Sequence, residues 1–253
     1  MLHTLSRLRS YFIFDPLIFL YTAVLGAISL AASVFEKSGR TQHTMAVIWS
    51  WLILKTSLSP VKVFGAEKVD FTRANLFAAN HISAMDVPVL YTNIPSQFRI
   101  VANKELFRRP FVGWHLTRSG QIPIDRSSMR ATFKSLHVAV DDLKSGLSVA
   151  IFPEGGRSRD GNLQSFMNGG FYVAVKAQAP VVPVAIVGTY EMLPMDTFHI
   201  KPNNLEIHFG EPIPTTGLTT HDLNTLSDRV KKAVEEMCGV AKSLTADSRR
   251  PKA

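Results

Sequence analysis

One cysteine, Cys238, is the only thiol in this 253-residue chain. A lone cysteine excludes an internal disulfide and any multi-cysteine metal site, and it is compatible with a reducing compartment. The chain also lacks a Lys/Arg-rich run or a basic–aromatic stripe, the usual marks of nucleic-acid binding, so no nucleic-acid partner is expected. No internal repeat and no low-complexity tract occurs. Charge is missing altogether from Pro16 to Phe35 (PLIFLYTAVLGAISLAASVF), a run long enough to cross a hydrocarbon core as a helix.

Positive charge is plentiful elsewhere. Lys and Arg number 28 against 20 Asp and Glu, giving a formal charge of +8 at pH 7 and a pI near 9.7. Such an excess favours anionic partners, here an anionic membrane surface and a phosphorylated ligand together. The length suits one moderately large domain with a short accessory segment.

That segment is N-terminal. Arg7 and Arg9 precede the uncharged run, and a second apolar stretch, Met45 to Leu58, carries Trp49, Trp51 and Lys55 before Pro60 stops it. Trp prefers the membrane interface, and a Lys near a helix end can extend its amine to water. Two apolar helices joined by EKSGRTQHT therefore predict a membrane-associated hairpin over residues 1–59. A cleaved signal peptide and a buried soluble hairpin are the alternatives.

Beyond Pro60, β-rich runs alternate with helical ones. Strands are expected at Asn75–Asn80, Arg99–Ala102, Gln121–Ile124, Ser148–Phe152, Val181–Val187 and Leu205–Phe209. Helices are expected at Lys104–Arg118, Met129–Lys144, Gly169–Gln178 and Thr219–Ala241. The alternation predicts an α/β domain over residues 60–241, with a largely parallel central sheet flanked by helices. Residues 242–253 read as a basic disordered tail.

Four segments carry chemistry. In NHISAMD (80–86), His81 is suited to general-base work and Asp86 can fix its tautomer. Five-residue spacing on a continuous helix would set the side chains roughly 140° apart, so the pair meets only across a strand-to-helix bend. Taken alone, Asp86 reads equally as a helix N-cap and His81 as a turn histidine. In IFPEGGRSRDG (151–161), glycines let backbone amides approach a ligand and arginines can clamp phosphate oxygens. A solvated turn with Glu154 paired to an arginine is the alternative there. GQIPIDR (120–126) ends an apolar strand on Asp125 and Arg126, where α/β sheets usually bind ligands, or else form a surface ion pair. VVPVAIVG (181–188) is core-like, and Pro183 predicts that its strand lies at an edge or begins beside a break.

In that order and at similar separations, NHISAMD, IPIDR, EGGR and VPV resemble the blocks of the 1-acylglycerol-3-phosphate acyltransferases, within the glycerolipid acyltransferase superfamily. That family's blocks read NHxxxxD, a strand ending in Arg, EGTR, and a Pro flanked by apolar residues. The resemblance covers roughly residues 60 to 215, and an apolar N-terminal hairpin is usual for the family.

It implies that His81 is the general base and Asp86 the carboxylate orienting it. Arg126, Glu154 and Arg157 would serve the acceptor's phosphate and organise the site. Lys104 would stand in for a lysine that the family often has at the position of Asn103. The implied reaction moves an acyl group from acyl-CoA or acyl carrier protein to the sn-2 hydroxyl of lysophosphatidic acid, giving phosphatidic acid at a membrane. The catalytic domain would face the cytoplasm. No metal and no cofactor beyond the acyl donor is expected.

Three departures, EGTR become EGGR at Gly156, Asn103 in place of a frequent lysine and Met167 in place of another, bear on the acceptor headgroup. Backbone amides near Gly155 and Gly156 are the expected oxyanion donors. Another lysophospholipid or lyso-aminolipid is the alternative acceptor. An acyl-thioester hydrolase and a non-catalytic lipid-binding protein are the alternatives from other classes.

Overall fold

The computed structural model describes residues 2–125 and 127–248. Its α/β unit is built on a sheet of seven strands among those residues: β1 (Val61–Phe64), β2 (Leu76–Ala79), β3 (Phe98–Asn103), β4 (Ile122–Ile124), β5 (Ser148–Ile151), β6 (Val181–Val187) and β7 (Leu205–Phe209). Their spatial order is β1-β7-β6-β2-β5-β3-β4. All neighbours are parallel except β6 and β7. Central strands of a parallel sheet are covered on both faces, which is why LFAA, SVAI and most of VVPVAIV are apolar without alternation and buried throughout.

Side chains still alternate in direction. Phe77, Ala79, Phe98, Val182 and Val184 enter one core. Leu76, Ala78, Val149, Ile151 and Val181 enter the other. The first is closed by α3 (Arg40–Thr56) and α4 (Asp86–Asn93), through Ala46, Ile53, Val89 and Leu90. The second is closed by α7 (Met129–Lys144), α8 (Gly169–Ala177) and α10 (Leu223–Ser248), through Leu136, Val140, Phe171, Leu226 and Val230. Local signals set the helix starts. Ser128 caps α7 by accepting from the Ala131 amide at 3.3 Å, and a Thr219–Asp222 capping box leads into α10.

Several expectations are revised. β1 went unrecognised because a four-residue edge strand carries too little pattern. The helix expected over Lys104–Arg118 is two, α5 (Lys104–Phe107) and α6 (Val112–Arg118), broken around Pro110. The strand holding Pro183 is central, between β2 and β7, and not an edge. Its missing N–H faces the break where β7 stops: the Gly210 amide donates to the Pro183 carbonyl at 2.8 Å, and pairing resumes only at Val181–Ile213. The final helix continues through Ser248, past the end expected at Ala241, and 249–253 lie outside the described residues.

At the N-terminus α1 (Leu2–Arg9) passes through a π-helical turn, Ser10–Phe14, into α2 (Asp15–Ala32). Ser6–Ala32 is long and apolar enough to cross a membrane, and 11% of its apolar stretch is buried. Polar ties fasten it along its length: Ser10 Oγ accepts from the Ile200 amide at 2.9 Å, Trp49 Nε1 donates to Thr22 Oγ1 at 2.9 Å, and Ser29 Oγ bonds His115 Nδ1 at 2.9 Å. Helix α3 packs on α4 as well as on α2, across the boundary expected at residue 59.

Candidate active site

The parallel strands β2, β3, β4, β5 and β6 all end on one edge, and the four segments singled out in the sequence contain or adjoin four of those ends. In open α/β sheets ligands bind in the crevice outside such ends.

After β2, Asn80 fixes the exit of the chain. Its Nδ2 donates to the Ile186 carbonyl at 2.9 Å and its Oδ1 accepts from the Ile186 amide at 2.7 Å. The backbone then bends, and Asp86 opens α4. The required turn is present: His81 Nδ1 donates to Asp86 Oδ2 at 2.8 Å. The same oxygen accepts from the Ile82 and Ser83 amides at 2.7 and 2.9 Å, and Asp86 is fully buried. Asp86 therefore organises the bend and the histidine at once, while Met85 is the helix N-cap. A carboxylate only accepts hydrogen bonds, so in neutral His81 the proton sits on Nδ1 and Nε2 keeps its lone pair. Nε2 has no protein partner among the described residues, and the side chain is 17% exposed. Phe152 stacks on the imidazole with ring centroids 3.9 Å apart, covering one face.

The loop after β5 grips the backbone of His81 from both sides. Glu154 Oε1 accepts from the His81 amide at 2.6 Å, and the Ser158 amide donates to the His81 carbonyl at 2.8 Å. Glu154 Oε2 accepts from the Gln164 amide at 2.8 Å. Burial is the largest influence on the Glu154 carboxyl and pushes it above its ordinary value, against the opposing pull of those amides. Gly155, Gly156 and Arg157 form the stretch of loop between those two grips on the His81 backbone. Gly155 sits at φ 81°, and its amide is already bonded to the Phe152 carbonyl at 2.9 Å, which removes it as an oxyanion donor. The Gly156 amide has no acceptor among the described residues. Arg157 is exposed, with no carboxylate partner among those residues.

Elsewhere on this edge, Lys104 Nζ donates to Asp125 Oδ2 at 2.6 Å. The Lys104 and Ser127 hydrogen bonds hold the Asp125 carboxyl at about 2. Lys104 thus binds β3's end to β4's end and is not an unpaired cation. Arg126 lies outside the described residues. β4 is three strands from β2, roughly 14 Å at ordinary strand spacing.

Thr189 escaped the sequence reading. It follows β6 and Gly188, and its Oγ1 donates to Asp86 Oδ1 at 2.5 Å from a fully buried position. Its one local signal is a Gly-Thr pair at the end of a core-like apolar strand.

A family model described as Acyltransferase matches residues 60–187, half of the chain. A chloroplastic 1-acyl-sn-glycerol-3-phosphate acyltransferase of Arabidopsis thaliana is 33% identical over 173 residues, covering 68% of this chain and 48% of that protein. The human 1-acyl-sn-glycerol-3-phosphate acyltransferase alpha is 27% identical over 223 residues, covering 87% and 78%. The match thus spans about half the length of the Arabidopsis relative and more of the human one. The crystal structure of the 1-acyl-sn-glycerophosphate (LPA) acyltransferase PlsC from Thermotoga maritima superposes with a TM-score of 0.81, at 25% identity over 99% of both chains. The strand-end histidine and aspartate, the glycine–arginine loop and the sheet they stand on are thus set in a chain that belongs to the acyltransferase family.

Proposed function

We propose that the protein transfers a fatty acyl group from acyl-CoA or acyl carrier protein to the sn-2 hydroxyl of 1-acylglycerol-3-phosphate, producing phosphatidic acid. The observation that carries this reading is the His81–Asp86 pair, locked by Thr189 and gripped by the loop that presents Gly156 and Arg157. The relatives named for this acylation support the choice of acceptor.

His81 Nε2 takes the proton of the acceptor hydroxyl as its oxygen attacks the thioester carbonyl. Buried Asp86 stabilises the imidazolium so formed. Collapse of the tetrahedral intermediate breaks the carbon–sulfur bond, and the imidazolium returns its proton to the departing thiolate. The Gly156 amide is the donor left to meet the oxyanion. Arg157, with Arg126, holds the acceptor phosphate. Glu154 acts on His81 through the loop it closes.

The helical layer of α1, α2 and α3 places this chemistry at a membrane. Because the Ser6–Ala32 segment is tied to the α/β unit near both ends, at Ser10–Ile200 and at Ser29–His115, it lies along that unit and enters one leaflet, with the catalytic face in the cytoplasm. Purified protein given labelled acyl-CoA and a panel of lyso-lipids tests the reaction. Label in phosphatidic acid is expected. Preference for another lyso-lipid would reassign the acceptor, and label in free acid alone would make the protein a thioesterase.

A further inference from the structure

The turn between α5 and α6 holds apolar rings in solvent at a conformational cost. Phe111 sits at φ 61° and ψ −60°, a backbone state that bulky residues rarely adopt. The turn is also tightly closed, since a Cβ at Gly113 would meet the Phe107 carbonyl oxygen at 2.1 Å. The outcome is exposure: Phe111 is 67% exposed and Trp114 53%, with ring centroids 5.2 Å apart. Burial in the protein does not repay the strain, so the rings point to a partner outside it. Arg108 and Arg109 flank them in solvent, Arg108 with an exposed bond to Glu105 at 3.2 Å that lipid phosphate would replace.

Position identifies the partner. α6 packs on α2 and is fastened there by the Ser29–His115 hydrogen bond. The exposed apolar residues of α2 include Phe19, Leu20, Val24 and Ile28, and the ring pair stands at the start of the helix packed against α2, so one membrane surface would meet both. We propose that Phe111 and Trp114 are a second membrane contact, seated at the headgroup level of an anionic bilayer with Arg108 and Arg109 on lipid phosphates. Aromatic rings beside arginines suit that zone, where one side is apolar and the other wet. The proposal rests on the membrane reading above and extends it from the N-terminal helices to the α/β unit itself. Its consequence is to fix the tilt of the strand-end crevice against the surface that supplies the lipid.

The test uses the full chain with vesicles of phosphatidylcholine, alone or mixed with phosphatidylglycerol. Comparing the parent with Trp114→Phe isolates the Trp114 signal from those of Trp49 and Trp51. On anionic vesicles that signal should shift to the blue and be quenched by lipids brominated high on the acyl chain. Phe111→Gly should melt at a higher temperature, since glycine relieves the positive φ, yet partition roughly tenfold more weakly for the loss of one buried ring. If the parent binds vesicles while Trp114 emission stays unchanged and Phe111→Gly binds equally well, the second contact is wrong and the helical anchor stands. If the parent does not bind vesicles at all, the membrane reading falls and takes this contact with it. Lipid-free association that rises with concentration and vanishes in Phe111→Gly would make the rings a protein interface, which also overturns the proposal.

Discussion

Thr189 donates a 2.5 Å hydrogen bond to Asp86 Oδ1, the oxygen that His81 does not use. Asp86 thus faces four donors: the imidazole, two turn amides and this hydroxyl. Both oxygens of this buried carboxylate are met by donors, which fixes it in place beside the imidazole.

Thr189 is accordingly a positioning residue. Thr189→Val should cost roughly 1–3 kcal/mol of stability by leaving a buried oxygen without its donor, and it should lower kcat. Thr189→Ser should restore most of both. Chemical denaturation and initial rates would decide, and equal damage from Val and Ser would show that methyl packing, not the hydroxyl, matters.

His81→Ala should remove at least roughly 100-fold of the transfer rate, the usual general-base contribution. Asp86→Asn should be comparably severe, because an amide replaces the charge the imidazolium needs. Near-normal turnover by folded His81→Ala protein, with folding checked by circular dichroism, would end the proposed mechanism.

Arg157→Lys should raise the KM for lysophosphatidic acid roughly tenfold and leave the acyl-donor KM little changed. A point charge cannot reproduce a planar fork on phosphate, and tenfold matches about 1.4 kcal/mol of binding. An acceptor lacking phosphate should lose little further activity with the mutant. Equal slowing of both acceptors would remove Arg157 from headgroup binding.

Gly156→Thr should be tolerated within about 0.5 kcal/mol, as an unconstrained surface change is. A Cβ there meets nothing within 4 Å, so a side chain fits in the loop after β5. Gly155→Ala is the contrast: at φ 81° it should cost roughly 1–2 kcal/mol. Thermal melts of the two variants make the comparison.

Asp125 should titrate at about 2 instead of its ordinary 3.8. Its folded value is depressed, so the stabilisation is present above the unfolded value near 4 and is lost as pH falls towards 2. Carboxyl NMR through that window would check it. Lys104→Met should move the midpoint back towards 3.8.

How much of this was legible in the sequence follows from what a local pattern can carry. Buried apolar runs broken by helical stretches determined a parallel α/β sheet, since strands covered on both faces must be continuously apolar. NHISAMD determined that its histidine and aspartate meet only across a bend, because helical geometry separates them. The tertiary structure decided the rest. Thr189 reaches Asp86 across 103 positions only because β6 lies beside β2. Glu154 and Ser158 grip His81 because β5 lies on β2's other side. Lys104 is neutralised because β4 pairs with β3, and Pro183 is tolerated at the sheet centre because β7 breaks opposite it. Strand order sets these partnerships, and it comes from packing whole faces of the sheet, which no window of neighbouring residues encodes.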